Sequence, residues 1–316
     1  MDPKLATIDF REFWFLAPAI LLSAWGLLVL LVDLALARRI DAVARRRTIG
    51  WLALLGAFLA LLSVAVLMSV QNQAAAQQQG STGWLSPSLV ELFSRSGGTI
   101  FLGTLSVDLQ NQALNILFIL LLGLVIGLSM AWSFTQDWGE YFALLIWATV
   151  GMMLLAASEE LVTLFLTLET MTICLYLTTA FEKTRRRSPE GGLKYFVYGS
   201  VSSALFLFGL SLLYGLTGTT QFEGIRAALA STSETSQGLT GNLAGATALL
   251  LLLVGFGFKV AAVPFHQWAP DAYEGAPAPV TAWIATGSKI ASFVVLLKVF
   301  LHALQPWSHP SNQLLG

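Results

Sequence analysis

About eight long apolar runs divide this 316-residue chain and limit its possible folds more than any other feature. A helix needs about 20 apolar residues to cross a bilayer, and only helices and closed barrels satisfy their backbone there. The chain is 56% hydrophobic and 11% charged, whereas soluble domains are about 25% charged. We therefore predict an all-α polytopic membrane protein embedded in a lipid bilayer. Its predicted spans cover residues 14–37, 49–70, 112–133, 140–157, 159–180, 192–215, 242–275 and 279–303.

The remaining composition excludes several classes of function. The net charge of -1 gives no basis for predicting a nucleic-acid partner. The one cysteine, Cys174, lies in an apolar run, so the chain contains neither a disulfide pair nor a cysteine metal site. The sequence also lacks a phosphate-binding glycine loop, a metal-ligand cluster and a haem motif. We predict no metal and no cofactor bound to this chain.

Two arginine-rich loops set the predicted orientation. Five arginines fall within residues 38–48, and three more follow one another within loop 181–191. Short positive loops mark the cytoplasmic face, and counting the spans places both of these loops on the same side. The prediction is a multi-pass protein of the cell inner (plasma) membrane with its N-terminus outside. The loops 71–111 and 216–241 then lie outside, the first with a small hairpin over 99–109.

The segment 255–289 is the most unusual part of the sequence. It places Lys259 in an apolar run, interrupts that run with Pro264 and three later prolines, and places Lys289 in the next run. A charge at mid-bilayer costs roughly 2.5–3.5 kcal/mol on insertion scales. Proline cannot complete the helical hydrogen-bond ladder, so we predict that the seventh span breaks near Lys259–Pro264. Broken helices beside buried ionisable groups are typical of ion and proton pathways.

Four ionisable residues are predicted within the spans: Glu169, Lys194, Lys259 and Lys289. Burial disfavours the charged form of a lysine and a neighbouring carboxylate favours it, so movement of Glu169 would switch a lysine between holding and releasing a proton. Each residue also has a structural interpretation. Glu169, Lys259 and Lys289 could be plain counter-ions, and Lys194 could be an interfacial lysine that reaches the headgroups.

Three further polar residues flank the predicted break. His266 lies seven residues after Lys259 and is either a relay group or a hydrogen-bonded interfacial histidine. Asp271 and Glu274 flank the proline-rich turn, and we interpret them as helix caps.

The chain resembles the antiporter-like membrane subunits of respiratory complex I, and in particular the subunit N family of proton-translocating NADH-quinone oxidoreductase. The resemblance covers residues 100–300 well and the first 100 residues loosely. Its most specific motif is Gly-Phe-Lys-Val-Ala-Ala-Val-Pro-Phe-His-Gln-Trp-Ala-Pro-Asp-Ala-Tyr-Glu-Gly-Ala-Pro at 257–277. The other motifs that carry it are Leu-Glu-Thr at 168–170, Gly-Leu-Lys-Tyr-Phe-Val-Tyr-Gly at 192–199, Leu-Tyr-Gly-Leu-Thr-Gly at 213–218 and Ser-Lys-Ile-Ala at 288–291.

The resemblance implies proton-translocation roles for Glu169, Lys194, Lys259 and Lys289. It also implies a fold of inverted repeats, each with one broken helix, and no redox centre in this chain. NADH, flavin, iron–sulfur clusters and quinone would bind to other subunits of the complex. The expected partners are other membrane subunits, including neighbouring antiporter-like subunits and small subunits on the quinone side.

The predicted organisation has three parts. Residues 1–111 form a two-helix region with the external loop, 112–303 form one antiporter-like translocation repeat, and 304–316 form a short, truncated tail. Family members are longer and carry a second repeat, which is not visible in this sequence. The chain is therefore expected to hold the first repeat at most.

Three functions are weighed on these observations. The first is a membrane subunit of NADH-quinone oxidoreductase, a translocase that moves protons as electrons pass from NADH to quinone. There, a signal from a neighbouring subunit would weaken a pair of Glu169 with Lys194 or Lys259, and a proton would move between Lys259 and Lys289. The alternative is a subunit of a multisubunit cation/proton antiporter. A non-transporting structural protein is the third, and the buried charges argue against it.

Overall fold

The computed structural model describes residues 10–36, 41–78, 99–233 and 243–308. Within these ranges, eight helices are long and apolar enough to cross a membrane, which confirms the predicted all-α membrane fold. We number them with two shorter helices in chain order: α1 (Ala17–Leu36), α2 (Ala42–Gln78), α3 (Leu109–Ala131), α4 (Trp138–Ala157), α5 (Leu161–Thr179), α6 (Arg187–Thr217), α7 (Phe222–Ser233), α8 (Leu243–Val260), α9 (Trp268–Gly275) and α10 (Ala278–Ala303).

The arginine-rich loops are shorter than predicted, because two helices begin within them. Helix α2 starts at Ala42 and includes Arg45, whereas residues 38–48 were predicted as loop. Helix α6 starts at Arg187, inside the predicted loop 181–191. Long polar side chains at a helix end can reach past the apolar core, so hydropathy places such a boundary too late.

The chain divides into two compact units, Met1–Ala157 and Ser158–Gly316. The three predicted parts, 1–111, 112–303 and 304–316, remain a prediction. The first unit contains α1 to α4 and a small hairpin, and the second contains α5 to α10. Past α10, the second unit continues through residue 304 into a short 3-10 helix, Gln305–Ser308.

In the first unit, the helices pack through buried aliphatic residues and close approaches at glycine. Trp147 contacts the position where a Cβ would lie at Gly26, and Trp25 does the same at Gly56. Asp33 near the end of α1 binds Arg45 in the first turns of α2 through both carboxylate oxygens, with Arg45 Nε 2.5 Å from Oδ1. This charged pair joins the end of α1 to the first turns of α2.

The predicted hairpin is present. Strand β1 (Thr99–Ile100) pairs antiparallel with β2 (Leu105–Ser106). At its tip Phe101, Leu102 and Gly103 all have positive φ. Glu12 fixes this strained turn, because its carboxylate accepts a 2.7 Å hydrogen bond from the Phe101 N–H. Residues 71–78 were also predicted as part of the external loop, but they belong to α2. Residues 79–98 lie outside the described residues.

In the second unit, α7 corrects the prediction that 216–241 is an irregular loop. Gly218 ends α6 in the left-handed conformation (φ 71°), and α7 then begins at Phe222. Its buried residues Phe222, Ile225 and Leu229 are spaced three and four apart, which places them on one helix face. That face packs against the last turns of α10. Residues 234–242 lie outside the described part of the chain, as do residues 309–316 of the predicted tail.

Candidate functional site

The seventh predicted span is broken where the prolines indicated. Helix α8 ends at Val260, the next residue has a φ of 57°, and α9 begins only at Trp268. The linking segment 261–267 contains Pro264, which carries no N–H for a helical hydrogen bond. The prediction of one broken helix near Lys259–Pro264 is therefore confirmed.

The end of α8 leaves backbone carbonyls without helical partners, and nearby groups bind them in turn. The Gly257 carbonyl accepts a 2.8 Å bond from the Ala262 N–H. The Phe258 carbonyl accepts a 3.0 Å bond from Trp268 Nε1. The Lys259 carbonyl accepts a 3.0 Å bond from Lys289 Nζ. Helix C-termini attract cations, so this break creates a favourable position for the Lys289 ammonium group.

Lys259 itself points to α5. Its side chain is only 6% exposed, and Nζ donates a 2.6 Å hydrogen bond to Thr172 Oγ1. Nζ also lies 3.9 Å from Glu169 Oε1, which is beyond hydrogen-bond distance but within strong electrostatic attraction. Glu169 Oε1 accepts a 2.6 Å bond from Ser203 Oγ of α6. Each partner of this ion pair is thus hydrogen-bonded to a different hydroxyl group.

Lys289 completes the cluster from α10. Its Nζ lies 4.7 Å from the centre of the Trp268 ring, a cation–π distance, and Trp268 stacks on Tyr195 with ring centres 4.2 Å apart. A π-helical stretch, Ile284–Ser288, comes directly before Lys289. Such stretches often occur at functional sites because the extra residue changes the direction in which side chains point.

The cluster can exchange a proton between neighbouring groups. Within the described residues it contains two lysines and one carboxylate, Glu169, in a mostly apolar setting. One carboxylate cannot balance two ammonium groups, of which Lys259 is buried and Lys289 is partly buried. The loss of a proton from one lysine would therefore relieve an uncompensated charge. Hydroxyl groups on Thr172 and Ser203 connect these groups to α5 and α6.

Lys194 is not part of this cluster. Its side chain is 41% exposed and forms ion pairs with Glu190 of its own helix, at 3.0 Å, and with Asp271 of α9, at 3.1 Å. Asp271 and Glu274 therefore differ from the predicted helix caps: Asp271 pairs with Lys194, and Glu274 pairs with Arg187. Both ion pairs attach α9 to the start of α6.

His266 lies in the segment between α8 and α9 with an exposed side chain. Its carbonyl accepts a 2.9 Å bond from the Ala269 N–H at the start of α9. The position near the break is compatible with both predicted interpretations, a relay group and an interfacial histidine.

Three features of the site were not identified from the sequence. Thr172 follows Glu169 by three residues, so helical spacing places both on one face of α5 and could have indicated a shared site. Ser203 belongs to a serine pair inside an apolar span, which is a weaker signal. Lys298 forms a 2.7 Å ion pair with Glu159 at the start of α5, but nothing local in the sequence connects these residues.

Comparison with known proteins supports the resemblance to subunit N proteins. The F420H2 dehydrogenase subunit N of Methanosarcina mazei is 39% identical over 300 residues, which cover 94% of this chain and 55% of that protein. The NADH-quinone oxidoreductase subunit N of Moorella thermoacetica is 49% identical over 166 residues, 52% of this chain and 33% of that protein. The chain spans about half or less of the length of these curated relatives.

A solved structure supports the predicted antiporter-like fold. A chain of respiratory complex I from Thermus thermophilus, determined with aureothin bound, matches 89% of this chain and 53% of its own length. The TM-score is 0.61 at 28% identity. A family model described as NADH:quinone oxidoreductase/Mrp antiporter, transmembrane, matches residues 158–315, half of the sequence and nearly all of the second compact unit. The chain therefore belongs to the NADH:quinone oxidoreductase/Mrp antiporter transmembrane family.

Proposed function

We propose that this chain forms the proton-translocating part of a subunit N in an NADH-quinone oxidoreductase or a closely related respiratory complex. The observation that carries the proposal is the cluster at the broken helix. Lys259 lies 3.9 Å from Glu169, and Lys289 binds the backbone carbonyl of Lys259. Ionisable groups at membrane depth are costly and need a function, and a structural role does not require two lysines beside one carboxylate.

The proposed mechanism starts from the Glu169–Lys259 pair. A signal from the neighbouring subunit moves or neutralises Glu169, which removes the attraction that holds Lys259 charged. Lys289 first gives up its own proton and becomes a neutral amine. Lys259 then passes its proton to that amine, and the return of Glu169 favours uptake of a new proton by Lys259. The long 3.9 Å separation supports this sequence, because a pair without a direct hydrogen bond opens at a smaller cost than a fork.

Lys194 and His266 remain proposed members of the path. Of the two lysines predicted to pair with Glu169, Lys259 is the one beside it, and a pair with Lys194 would require a second conformation. The ion pair of Lys194 with Asp271 supports a role for Lys194, because opening this pair would help to release α9 from α6. His266 lies on the linking segment and would act as a relay if that segment moved towards the cluster.

The proposed setting is a multisubunit membrane complex. Other subunits would hold flavin and iron–sulfur clusters and pass electrons from the donor to quinone, while this chain would hold no redox centre. The relatives differ in the donor that their names give, F420H2 in one and NADH in another, so the donor would be set outside this chain. Neighbouring antiporter-like subunits and small quinone-side subunits are the proposed direct partners.

The proposed location is the cell inner (plasma) membrane, with the N-terminus outside and the arginine-rich segments in the cytoplasm. The positions of Arg45 and Arg187 support this orientation. Arg45 lies in the first turns of α2 and Arg187 at the start of α6, and an even number of spanning helices, α2 to α5, separates them.

The test is Lys259→Met in the native complex, purified and reconstituted in liposomes. We expect normal assembly and at least about a tenfold lower rate of proton translocation, because the variant cannot carry the proton. Protons moved per electron are measured with a pH-sensitive dye beside donor oxidation. The matched control is Lys183→Met, in the exposed segment before α6. Undiminished stoichiometry in an assembled Lys259→Met complex would contradict the proposal.

A second candidate is a subunit of a cation/proton antiporter, because the matching family model includes Mrp antiporters. The two functions differ in their driving force. An antiporter exchanges Na+ for protons across sealed vesicles without a donor or quinone, whereas the proposed oxidoreductase subunit moves protons only during electron transfer.

A further inference from the structure

The Glu169–Lys259 pair is more open than its surroundings lead us to expect. Its charged atoms lie 3.9 Å apart, although the side chains of Glu169 and Lys259 are only 23% and 6% exposed. Attraction between charges is stronger away from water, and N–H···O bonds between opposite charges usually close to about 2.7–2.9 Å. Other lysine–carboxylate contacts of the chain lie at 2.7, 3.0 and 3.1 Å. A structural feature other than weak attraction therefore keeps this pair apart.

Thr172 fixes the position of the lysine. Its hydroxyl group has one proton, which it donates to the Leu168 carbonyl over 2.6 Å. Towards Lys259 the hydroxyl can therefore only accept, and it accepts a 2.6 Å hydrogen bond from Nζ. Thr172 follows Glu169 by three residues, a rise of about 4.5 Å along α5. The lysine is thus bound one step along the helix from the carboxylate rather than at the carboxylate itself.

Ser203 fixes the carboxylate from the neighbouring helix. Its hydroxyl donates a 2.6 Å hydrogen bond to Glu169 Oε1, the same oxygen that lies 3.9 Å from Lys259 Nζ. Ser203 lies within α6 and is only 7% exposed, so this bond is protected from water. Each end of the ion pair is therefore held by one hydroxyl, and each hydroxyl has a fixed position on a helix.

Hydroxyl groups can hold these side chains in both protonation states. An ammonium group and a neutral amine both carry N–H bonds that Thr172 can accept, whereas the attraction of a carboxylate acts on the charged form. In the same way, Ser203 can donate to Glu169 whether or not the carboxyl group is protonated. Lys259 would therefore stay beside Thr172 after it loses its proton.

We propose that Thr172 and Ser203 are positioning residues that keep Glu169 and Lys259 out of direct contact, so that the pair can open during transport. Coulomb energy varies as the inverse of distance, so closure to about 2.8 Å would strengthen the attraction about 1.4-fold. A direct charge-assisted hydrogen bond would add to that attraction. The closed pair would open less often and translocation would slow. This role rests on the proposed translocation function.

The first experiment removes the Thr172 hydroxyl with little change in volume. In Thr172→Val, Lys259 loses its acceptor and should move into contact with Glu169. We expect proton translocation in liposomes at least about tenfold slower, because the tighter pair opens less often. The thermal midpoint of the complex should not fall, since the ion pair becomes stronger. Thr172→Ser keeps the hydroxyl and should restore translocation to near the normal rate.

The second experiment repeats the test from the other helix. Ser203→Ala frees Glu169 Oε1 for Lys259 and should slow translocation in the same way. The matched controls are Thr170→Val on α5 and Ser211→Ala on α6. Both residues are exposed, and each hydroxyl binds only a carbonyl of its own helix, so both variants should translocate normally.

The third measurement is the distance itself. A map of the purified Thr172→Val complex should show Lys259 Nζ within hydrogen-bond distance of a Glu169 oxygen. Normal translocation by Thr172→Val or by Ser203→Ala would overturn the proposal. A pair that remains apart in the Thr172→Val map would also overturn it. So would a Thr172→Ser complex as slow as Thr172→Val, because the hydroxyl would then not be the group that matters.

Two reference measurements separate this inference from the proposed function. The unaltered complex and Glu169→Gln are assayed in the same liposomes. If the first translocates protons and the second does not, the proposed function stands, and normal translocation by Thr172→Val overturns only the positioning role. If the unaltered complex moves no protons, or Glu169→Gln moves them normally, the proposed function fails and the positioning role fails with it.

Discussion

Each compact unit places a carboxylate beside a basic side chain in its interior, but the two pairs are built differently. In the first unit, Asp33 and Arg45 bind through two oxygens and two nitrogens. In the second, Glu169 and Lys259 lie 3.9 Å apart, and each holds a separate hydroxyl. Arginine stays charged at any accessible pH, whereas buried lysine can lose its proton. The first pair is suited to joining helices and the second to exchanging a proton.

The helices around the two pairs differ in the same way. Helices α1 and α2 run unbroken through the first unit. In the second unit, α8 stops at Val260, and α10 contains π-helical stretches at Ile284–Ser288 and Val299–Ala303. Regular helices satisfy their own backbone groups, whereas a broken helix needs side chains to do so. In the second unit, the charged side chain of Lys289 therefore binds a backbone carbonyl at the end of the broken helix.

The largest effect is expected at Lys289. Lys289→Met removes both the charge and the hydrogen bond to the Lys259 carbonyl, so we expect translocation to fall at least about tenfold. Lys289→Arg sharpens the comparison, because arginine can still bind the carbonyl but cannot release a proton. Translocation per electron in liposomes is the measurement. Equal activity of Lys289→Arg and the unaltered chain would show that proton release from this residue is not needed.

A loss of stability rather than of transport is expected at Asp33. Asp33→Asn leaves Arg45 largely buried without its carboxylate, which should cost on the order of 3 kcal/mol. The midpoint of thermal unfolding of the purified complex should fall, while each surviving complex translocates normally. The control is the double variant Asp33→Asn with Arg45→Met, which should recover part of the loss because no unpaired charge remains. A transport defect in stable Asp33→Asn complexes would remove the distinction between the two pairs.

The smallest effect is expected at Glu160, which caps α5 through a 2.8 Å bond from the Thr163 N–H. Burial alone would raise the pKa of Glu160. Hydrogen bonds from Thr163 and Thr220 together lower it by more than burial raises it, so the pKa lies below the ordinary value. The cap therefore stabilises the fold fully above the ordinary pKa of glutamate and is lost as pH falls through the lowered value. Glu160→Gln should cost about 1 kcal/mol at neutral pH.

The measurement for Glu160 is the thermal midpoint as a function of pH between neutral and acid conditions. The difference between the unaltered chain and Glu160→Gln should shrink as the pH falls. Glu223→Gln serves as the control, since its side chain is 83% exposed and its ion pair with Arg226 contributes little. A constant difference at every pH would show that the charge of Glu160 does not support the cap.

The spans and the break could be predicted because both depend on local sequence. Apolar runs define the helices, and Pro264 marks the break whatever surrounds it. The small hairpin was also predictable from its turn around Gly103. Helix α7 was not, because its apolar residues Phe222, Ile225 and Leu229 are diluted by glycine and serine, and its stability comes from packing on α10.

The partners in the site could not be predicted, because they come from distant parts of the chain. Glu169 and Lys259 were recognised as charges in apolar runs, but the contact with Ser203 depends on how α5 packs against α6. Lys194 was interpreted either as part of the proton path or as an interfacial lysine, and its ion pair with Asp271 could not be predicted from the sequence. The π-helical stretch before Lys289 depends on tertiary packing and has no signature in the sequence.

The hydrogen bond from Lys289 to the Lys259 carbonyl also couples charge to mechanics. A charge-assisted hydrogen bond is about twice as strong as a neutral one. The hydrogen bond from Lys289 to the end of α8 would therefore be about half as strong after Lys289 gave up its proton. In the proposed mechanism, the segment 261–267 would then be held less tightly until Lys289 is protonated again. The protonation state of one side chain would thereby set the stiffness of the segment that links α8 to α9.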